Sequence, residues 1–138
     1  MSYVSKLIFR EINNLIPDLM KIEPSESINL RTYGLNNIFL KVLENTSEEM
    51  NIQISNYSLR NSVLVANPSF EIVIYYKMHI AEVASYNDPY FTYKLIYEND
   101  GISIDANSYA NKLVYEWLKE LKLWNSNKKD SFNTNKLY

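Results

Sequence analysis

The sequence predicts an α+β fold, in which an antiparallel meander sheet of about five or six strands is covered on one face by an N-terminal and a C-terminal helix. Two observations predict this fold. Residues 70–97 alternate with period two and are rich in β-branched and aromatic side chains, which is typical of strands. Residues 110–124 instead repeat apolar side chains at steps of three and four, which is typical of an amphipathic helix.

Each predicted helix has a single apolar face. Near the N-terminus the apolar side chains keep helical spacing up to Pro17, which ends the helix or begins a second short turn; they are Val4, Leu7, Ile8, Ile12 and Leu15. Near the C-terminus the stripe comprises Ala110, Leu113, Val114, Trp117, Leu118, Leu121 and Trp124. We expect both faces to pack on the sheet, and a C-terminal helix that binds a partner is the alternative.

The strands follow from alternation and from turn residues. Residues 28–32 and 38–43 flank Gly34, Asn36 and Asn37, which predicts a first hairpin. Residues 50–55 predict a third strand, and residues 70–76, 80–84 and 91–97 predict three more. Residues 59–68 are predicted to form a loop, because Pro68 argues against a central position in a sheet, and a short strand over residues 63–65 is the alternative.

Composition limits the class of protein. The 138 residues predict one domain over residues 1–124 and a flexible polar tail over residues 125–138. With 14 Lys and Arg against 16 Asp and Glu, the net charge of −2 does not favour nucleic acid or an anionic membrane as a ligand. The absence of cysteine excludes disulfides, thiolate metal ligands and a thiol nucleophile, and it fits a reducing cytoplasm.

The sequence also shows no pattern that is typical of a targeting segment or of a phosphate-binding loop. Lys6, Arg10 and Glu11 interrupt the first apolar segment, so we expect neither a signal peptide nor a membrane span there. The chain has only two glycines, which is too few for a glycine-rich phosphate loop. We therefore expect no cofactor and no metal.

The second half of the chain resembles a known family. Residues 69–83, the aromatic strand that follows and the C-terminal helix are similar to the YqiB-like family of small bacterial proteins, a domain of unknown function. The matching positions are Tyr75, Ala81, Glu82, Val83, Tyr97, Trp117 and Leu118. The chain departs from the family where Val73, Tyr76 and Lys77 replace the family's Arg, His and Asp. The resemblance therefore implies a fold, and an activity supported by that polar trio would be absent here.

Tyrosine is the most unusual feature of the composition. Twelve tyrosines occur, and several are crowded into one stretch. Since alternate residues of a strand point to opposite faces, some of them must be exposed, and exposed tyrosine is favoured in protein interfaces. The predicted protein-binding residues are Tyr75, Tyr76, Tyr86, Tyr90 and Tyr93. Ordinary sheet packing and stacking of single-stranded nucleic acid are the alternatives.

A pocket between the sheet and the C-terminal helix is the competing site. Its predicted lining is Tyr75, Glu82, Lys94, Tyr97 and Trp117, with Glu82 and Lys94 as a cross-strand ion pair. His79 is the only histidine, and one histidine without cysteine cannot build a structural zinc site. We therefore interpret His79 as a turn residue and Glu82 as half of a structural pair, with no catalytic residue assigned.

Three functions remain open at this point. The leading hypothesis is a non-enzymatic cytoplasmic adaptor or regulator that binds another protein through the aromatic sheet region or an edge strand. A specialised form is an inhibitor of a host complex carried by a phage or plasmid, such as an anti-CRISPR protein. The alternative is a small-molecule binder or hydrolase that uses the pocket. Homo-oligomerisation is compatible with each of them.

Overall fold

The computed structural model describes residues 3–17, 19–24, 26–30, 38–94 and 104–125. The predicted tail, apart from Asn125, and the segment 95–103 with Tyr97 lie outside the described residues, as does the side chain of Trp124. The elements, in chain order, are helix α1 (Tyr3–Leu15), a 3-10 turn (Leu19–Lys21), strands β1 (Ser27–Leu30), β2 (Ile38–Asn45), β3 (Glu49–Arg60), β4 (Val63–Tyr75), β5 (Ile80–Asn87) and β6 (Thr92–Lys94), and helix α2 (Ile104–Asn125).

The six strands form one antiparallel sheet in the order β1-β2-β3-β4-β5-β6, so each strand pairs with its neighbours in sequence. Both helices pack against the same face of this sheet and against each other. The predicted α+β meander with an N-terminal and a C-terminal helix is therefore confirmed. None of the described helices has the length and apolarity that a membrane-spanning segment requires.

The core lies between the helices and the sheet. Alternate residues of the central strands supply it, and all of them are nearly or completely buried: Ile38, Leu40, Val42, Met50, Ile52, Ile54, Phe70, Ile72, Ile74, Ala81 and Val83. The helices contribute Ile8, Ile12, Leu15, Ala110, Val114, Leu118 and Leu121. Burying one such aliphatic side chain stabilises the fold by about 1.5–3 kcal/mol, so this layer supplies most of the stability.

The opposite face of the sheet is not covered by any described element. It carries mostly polar side chains at intermediate exposure, including Asn51, Gln53 and Glu71. The hydroxyls of Ser55 and Ser69 lie 2.9 Å apart across β3 and β4, and Ser85 Oγ donates to Glu71 Oε2 over 2.7 Å. One buried and one solvated face is the usual arrangement for an antiparallel sheet.

The prediction of a loop over residues 59–68 is wrong. Residues 57–60 and 63–66 instead continue β3 and β4 as a paired hairpin. Asn61 and Ser62 form its two-residue turn with φ of 52° and 67°, as the turns that join twisted strands require. Pro68 is accommodated because it lies where the register of the ladder shifts, between the pairs Ser55–Ser69 and Tyr57–Ala66, and has no ladder partner in β3.

Asn45 ties the segment after α1 to the sheet. Its side-chain amide donates to the carbonyls of Met20 and Ile22, over 3.2 and 3.3 Å. The Oδ1 atom of the same side chain accepts a hydrogen bond from the Tyr76 hydroxyl. A single side chain at the end of β2 thus joins the 3-10 turn to the end of β4.

Asn111 connects α2 to strand β5 of the sheet. Ser85 pairs with Glu71 and Val83 pairs with Ile72, so β5 has an extra residue that bulges from the ladder. The N–H of Val83 at this bulge donates to Asn111 Oδ1 over 3.1 Å, and Asn111 itself is 3% exposed. Asn111 Nδ2 in turn donates to the Asn107 carbonyl over 2.8 Å.

Replacing Asn111 by alanine is expected to destabilise the fold. Asn111→Ala leaves the buried N–H of Val83 without its acceptor, which costs about 1–3 kcal/mol. Lys112→Ala changes the adjacent exposed residue of the same helix and is expected to shift the free energy by less than about 0.5 kcal/mol. Urea unfolding of both variants measures the difference, and equal midpoints would show that the bulge does not depend on this bond.

Candidate functional site: a two-stranded arm

The third and fourth strands continue beyond their neighbours in the sheet. β2 pairs with β3 as far as Asn56, and β5 pairs with β4 as far as Ser69. Within the described part of the chain, residues 57–60 and 63–66 pair only with each other. We call residues 57–66 the arm. Both of its backbone edges direct hydrogen-bonding groups away from the hairpin, as in any edge strand.

One face of the arm carries exposed apolar side chains. Leu59 and Leu64 lie directly opposite each other and are 69% and 66% exposed. Tyr57 pairs with Ala66 two residues nearer the sheet, and cross-strand partners share a face. Single exposed apolar residues are normal on soluble proteins, whereas neighbouring ones mark interaction sites. These four side chains, Tyr57, Leu59, Leu64 and Ala66, are hereafter the apolar face of the arm.

The base of the arm is held by polar contacts. Asn56 is 6% exposed, and its Nδ2 donates to the Asn67 carbonyl over 2.6 Å. The Ser55 and Ser69 hydroxyls bridge the same two strands one step further in. Pro68 is buried beside them. These contacts connect the arm to the sheet at the position where the register shifts, and they hold the base of the arm in place.

Tyr90 lies against the other face of the arm. It is 84% exposed in the turn between β5 and β6, and the guanidinium carbon of Arg60 is 5.7 Å from the centre of its ring. This distance is within the range of a cation–π contact, worth about 0.5–1 kcal/mol at an exposed site. Arg60 pairs with Val63, which is 60% exposed. An aromatic and a cationic group therefore flank the arm on the face opposite Leu59.

Asp88 positions the turn that presents Tyr90. Its Oδ1 accepts hydrogen bonds from the N–H groups of Tyr90 and Phe91 over 2.7 and 2.8 Å, and its Oδ2 accepts one from the Tyr86 hydroxyl over 2.6 Å. Partial burial acts to raise the pKa of Asp88, but these three hydrogen bonds to the carboxylate outweigh it and lower the pKa. The pKa of Tyr86 is strongly raised. Burial is the larger cause, and the hydrogen bond to the Asp88 carboxylate is the second.

The five tyrosines predicted to bind a protein do not lie on one surface. Tyr90 is exposed, Tyr75 and Tyr76 are half-buried, and Tyr86 and Tyr93 are core residues at 6% and 5% exposure. Tyr86 packs against Phe70 and Phe91, and the Tyr93 hydroxyl accepts a hydrogen bond from Asn107. Of this set, Tyr90 is the one that adjoins the arm.

The predicted pocket residues are not brought together. Glu82 pairs with Val73 and Lys94 pairs with Ser85, which places both on the uncovered face of the sheet and not opposite each other. Trp117 lies on the other side, where its ring meets Phe70 edge-to-face at 5.5 Å. Tyr97 lies outside the described residues. The register of the strands therefore does not bring Glu82, Lys94 and Trp117 together in one pocket.

Sequence reasoning missed the residues of the arm. Leu59, Val63 and Leu64 fall within the predicted loop, because Pro68 argues against a strand in that region. Two signals point to the hairpin: apolar residues flank Asn61 and Ser62 closely on both sides, and asparagine is favoured where a turn requires positive φ.

His79 does lie in a turn, with φ of 54°. Groups of three or more acidic or histidine side chains able to hold a metal are absent from the described residues.

Comparison with known proteins adds no relative. No family model, no curated protein and no solved structure matches this chain. The resemblance to the YqiB-like family stays a prediction.

The role of Asp88 predicts a pH-dependent contribution to stability. Because the folded state lowers the pKa of Asp88, its contribution is present above the pKa of the unfolded chain, about 3.9, and is lost as the pH falls through the folded value. Asp88→Asn is therefore expected to lower the urea midpoint at pH 7, with the difference from the wild-type protein disappearing in acid. Glu48→Gln, at an exposed turn, is the control. A difference that is the same at every pH would contradict this role.

Proposed function

We propose that the protein is a non-enzymatic adaptor or regulator that binds another protein through the arm. The single observation that supports this proposal is the exposed pair Leu59 and Leu64 on a hairpin that extends beyond the sheet. An apolar pair at this position does not contribute to the core. Its burial by a partner supplies a driving force for association.

The arm fits a partner that contributes an extended strand. Edge strands bind such segments by main-chain hydrogen bonds, which supply affinity, while pockets for alternate side chains supply specificity. On the apolar face of the arm, the alternate side chains are Tyr57 and Leu59 on β3 and Leu64 and Ala66 on β4. The contacts of Asn56 at the base order the arm before binding, which reduces the entropy lost on association.

An inhibitor of a host complex is the specialised form of this proposal. An arm that extends from a compact sheet suits a cleft in a larger assembly, which is how a phage- or plasmid-carried inhibitor such as an anti-CRISPR protein would act. The cytoplasm is the proposed location, because a chain without cysteine gains nothing from an oxidising compartment. The pocket-based hydrolase has no such support, since its proposed lining is split between the two faces of the sheet.

The arm is expected to carry most of the binding energy. Affinity capture from nuclease-treated lysate identifies a stoichiometric partner, and the same partner is then titrated in purified form against Leu59→Ser/Leu64→Ser. We expect its affinity to fall by about tenfold or more, because the central apolar contacts of an interface dominate its energy. A photo-crosslinking residue introduced at position 64 is expected to attach to an extended segment of that partner.

The control uses exposed residues away from the arm. Lys41→Ser/Lys112→Ser replaces side chains on the uncovered sheet face and on α2, and it is expected to bind as the wild-type protein does. Thermal unfolding checks that both double variants fold. A partner that binds the arm variant with unchanged affinity would contradict the proposal, and self-association that depends on Leu64 would identify the partner as a second copy of the chain.

A further inference from the structure

A second concave surface lies at the opposite end of β4 from the arm. It is a groove of about 530 Å³ between the outward side of α1 and the turn that joins β4 to β5. Its lining consists of Tyr3, Lys6, Leu7, Phe9, Arg10, Met78 and His79. β4 runs for 13 residues, from Val63 to Tyr75, so the arm and the groove are separated by about 40 Å. Neither the arm nor the pocket predicted from sequence accounts for this surface.

The helix side of the groove is cationic. Tyr3, Lys6, Leu7 and Arg10 follow the spacing of one helix face, and this face is distinct from the buried face of Ile8 and Ile12. Lys6 and Arg10 are four residues apart, where like charges repel each other. The first turn of α1 contains no acidic residue, and the partial positive charge of a helix N-terminus adds to the two side chains. An anion in the groove would relieve this repulsion.

The turn side of the groove adds a histidine held by an aromatic ring. The imidazole of His79 is stacked on Phe9, with the ring centres 5.3 Å apart and the planes inclined by 19°. Its backbone is in the left-handed region, and its N–H is 3.4 Å from the Tyr76 carbonyl. Stacking on Phe9 covers one face of the imidazole and orients the ring. The edge of the imidazole retains at least one N–H donor in any tautomer. His79 thereby combines an aromatic surface with a hydrogen-bond donor.

The rest of the lining is mainly apolar, and among the described residues no carboxylate contributes to it. Met78 is 55% exposed, and it completes an apolar patch with Leu7 and Phe9. Polarizable thioethers and aromatic rings make favourable contacts with aromatic ligands. A volume of about 530 Å³ is within the usual range for small-molecule sites. The groove therefore complements a molecule that has a flat apolar body and a negative charge.

We propose that this groove binds a small aromatic carboxylate. The carboxylate lies between Lys6 and Arg10 and accepts from the edge of His79, while the aromatic body packs on Phe9 and Met78. Arg10 is suited to this role because its planar guanidinium matches a carboxylate with two parallel hydrogen bonds. This site is independent of the arm, so binding of a protein partner and binding of the carboxylate are separate properties of the fold.

The test uses a matched pair of probes, 1-naphthaleneacetate and its neutral amide, 1-naphthaleneacetamide. Titration of the isotopically labelled full chain is followed by amide chemical shifts. We expect saturable shifts at residues 3–10 and 77–79 with the acid, and about tenfold weaker binding of the amide, because only the acid carries the charge. Equal binding of the two probes, shifts at other residues or no saturation would overturn the proposal.

Variants separate the two halves of the groove. Lys6→Gln/Arg10→Gln is expected to lower the affinity for the acid by about tenfold while leaving the amide unchanged. Met78→Ser is expected to weaken both probes. Lys41→Gln/Lys112→Gln removes the same number of charges elsewhere and is expected to bind both probes as the wild-type protein does. A loss of affinity in this control equal to that of Lys6→Gln/Arg10→Gln would show a bulk charge effect and would also overturn the proposal.

Discussion

Strands β2 to β5 each have one face that must be kept from water, and this requirement organises the molecule. Met50, Ile52 and Ile54 are fully buried, while Asn51 and Gln53 between them remain partly exposed. A sheet of this kind needs a covering layer on one side only. α1 and α2 form that layer, and two asparagine side chains connect this part of the molecule to the sheet. Asn45 holds the segment after α1, and Asn111 holds α2 to the bulge of β5.

Alternation and helical spacing were sufficient to predict the layers, because both report directly on which side chains are buried. Ile72, Ile74 and Leu118 lie where those patterns require. The patterns carry less information where a side chain has a polar partner that is distant in sequence. Glu11 is 5% exposed on the buried side of α1, and nothing in its local sequence distinguishes it from an exposed acid. Asn111 is predicted no better, since the bulge that requires it lies 28 residues away.

The candidate site illustrates a different reason for failure. A single proline, Pro68, argues for a loop despite the apolar residues on both sides of Asn61, whereas the register shift in the ladder accommodates it. The tyrosine-rich stretch, by contrast, is predicted to form a surface, because composition does not reveal which face of a strand a residue occupies. Tyr86 and Tyr93 face the helices, and Tyr90 lies in the turn between them. Burial is decided by register, and register depends on pairing that is not visible in one strand alone.

The two proposed binding surfaces lie at opposite ends of β4 and use different chemistry. The arm offers apolar side chains and backbone edges, while the groove at α1 offers cations and an aromatic ring. Leu59 and Leu64 have no role in the core, so their replacement is expected to change the proposed recognition at almost no cost in folding. The arm can therefore diverge quickly under selection while the sheet stays unchanged. A hairpin of this kind is also a suitable position for grafting a new binding segment onto the same scaffold.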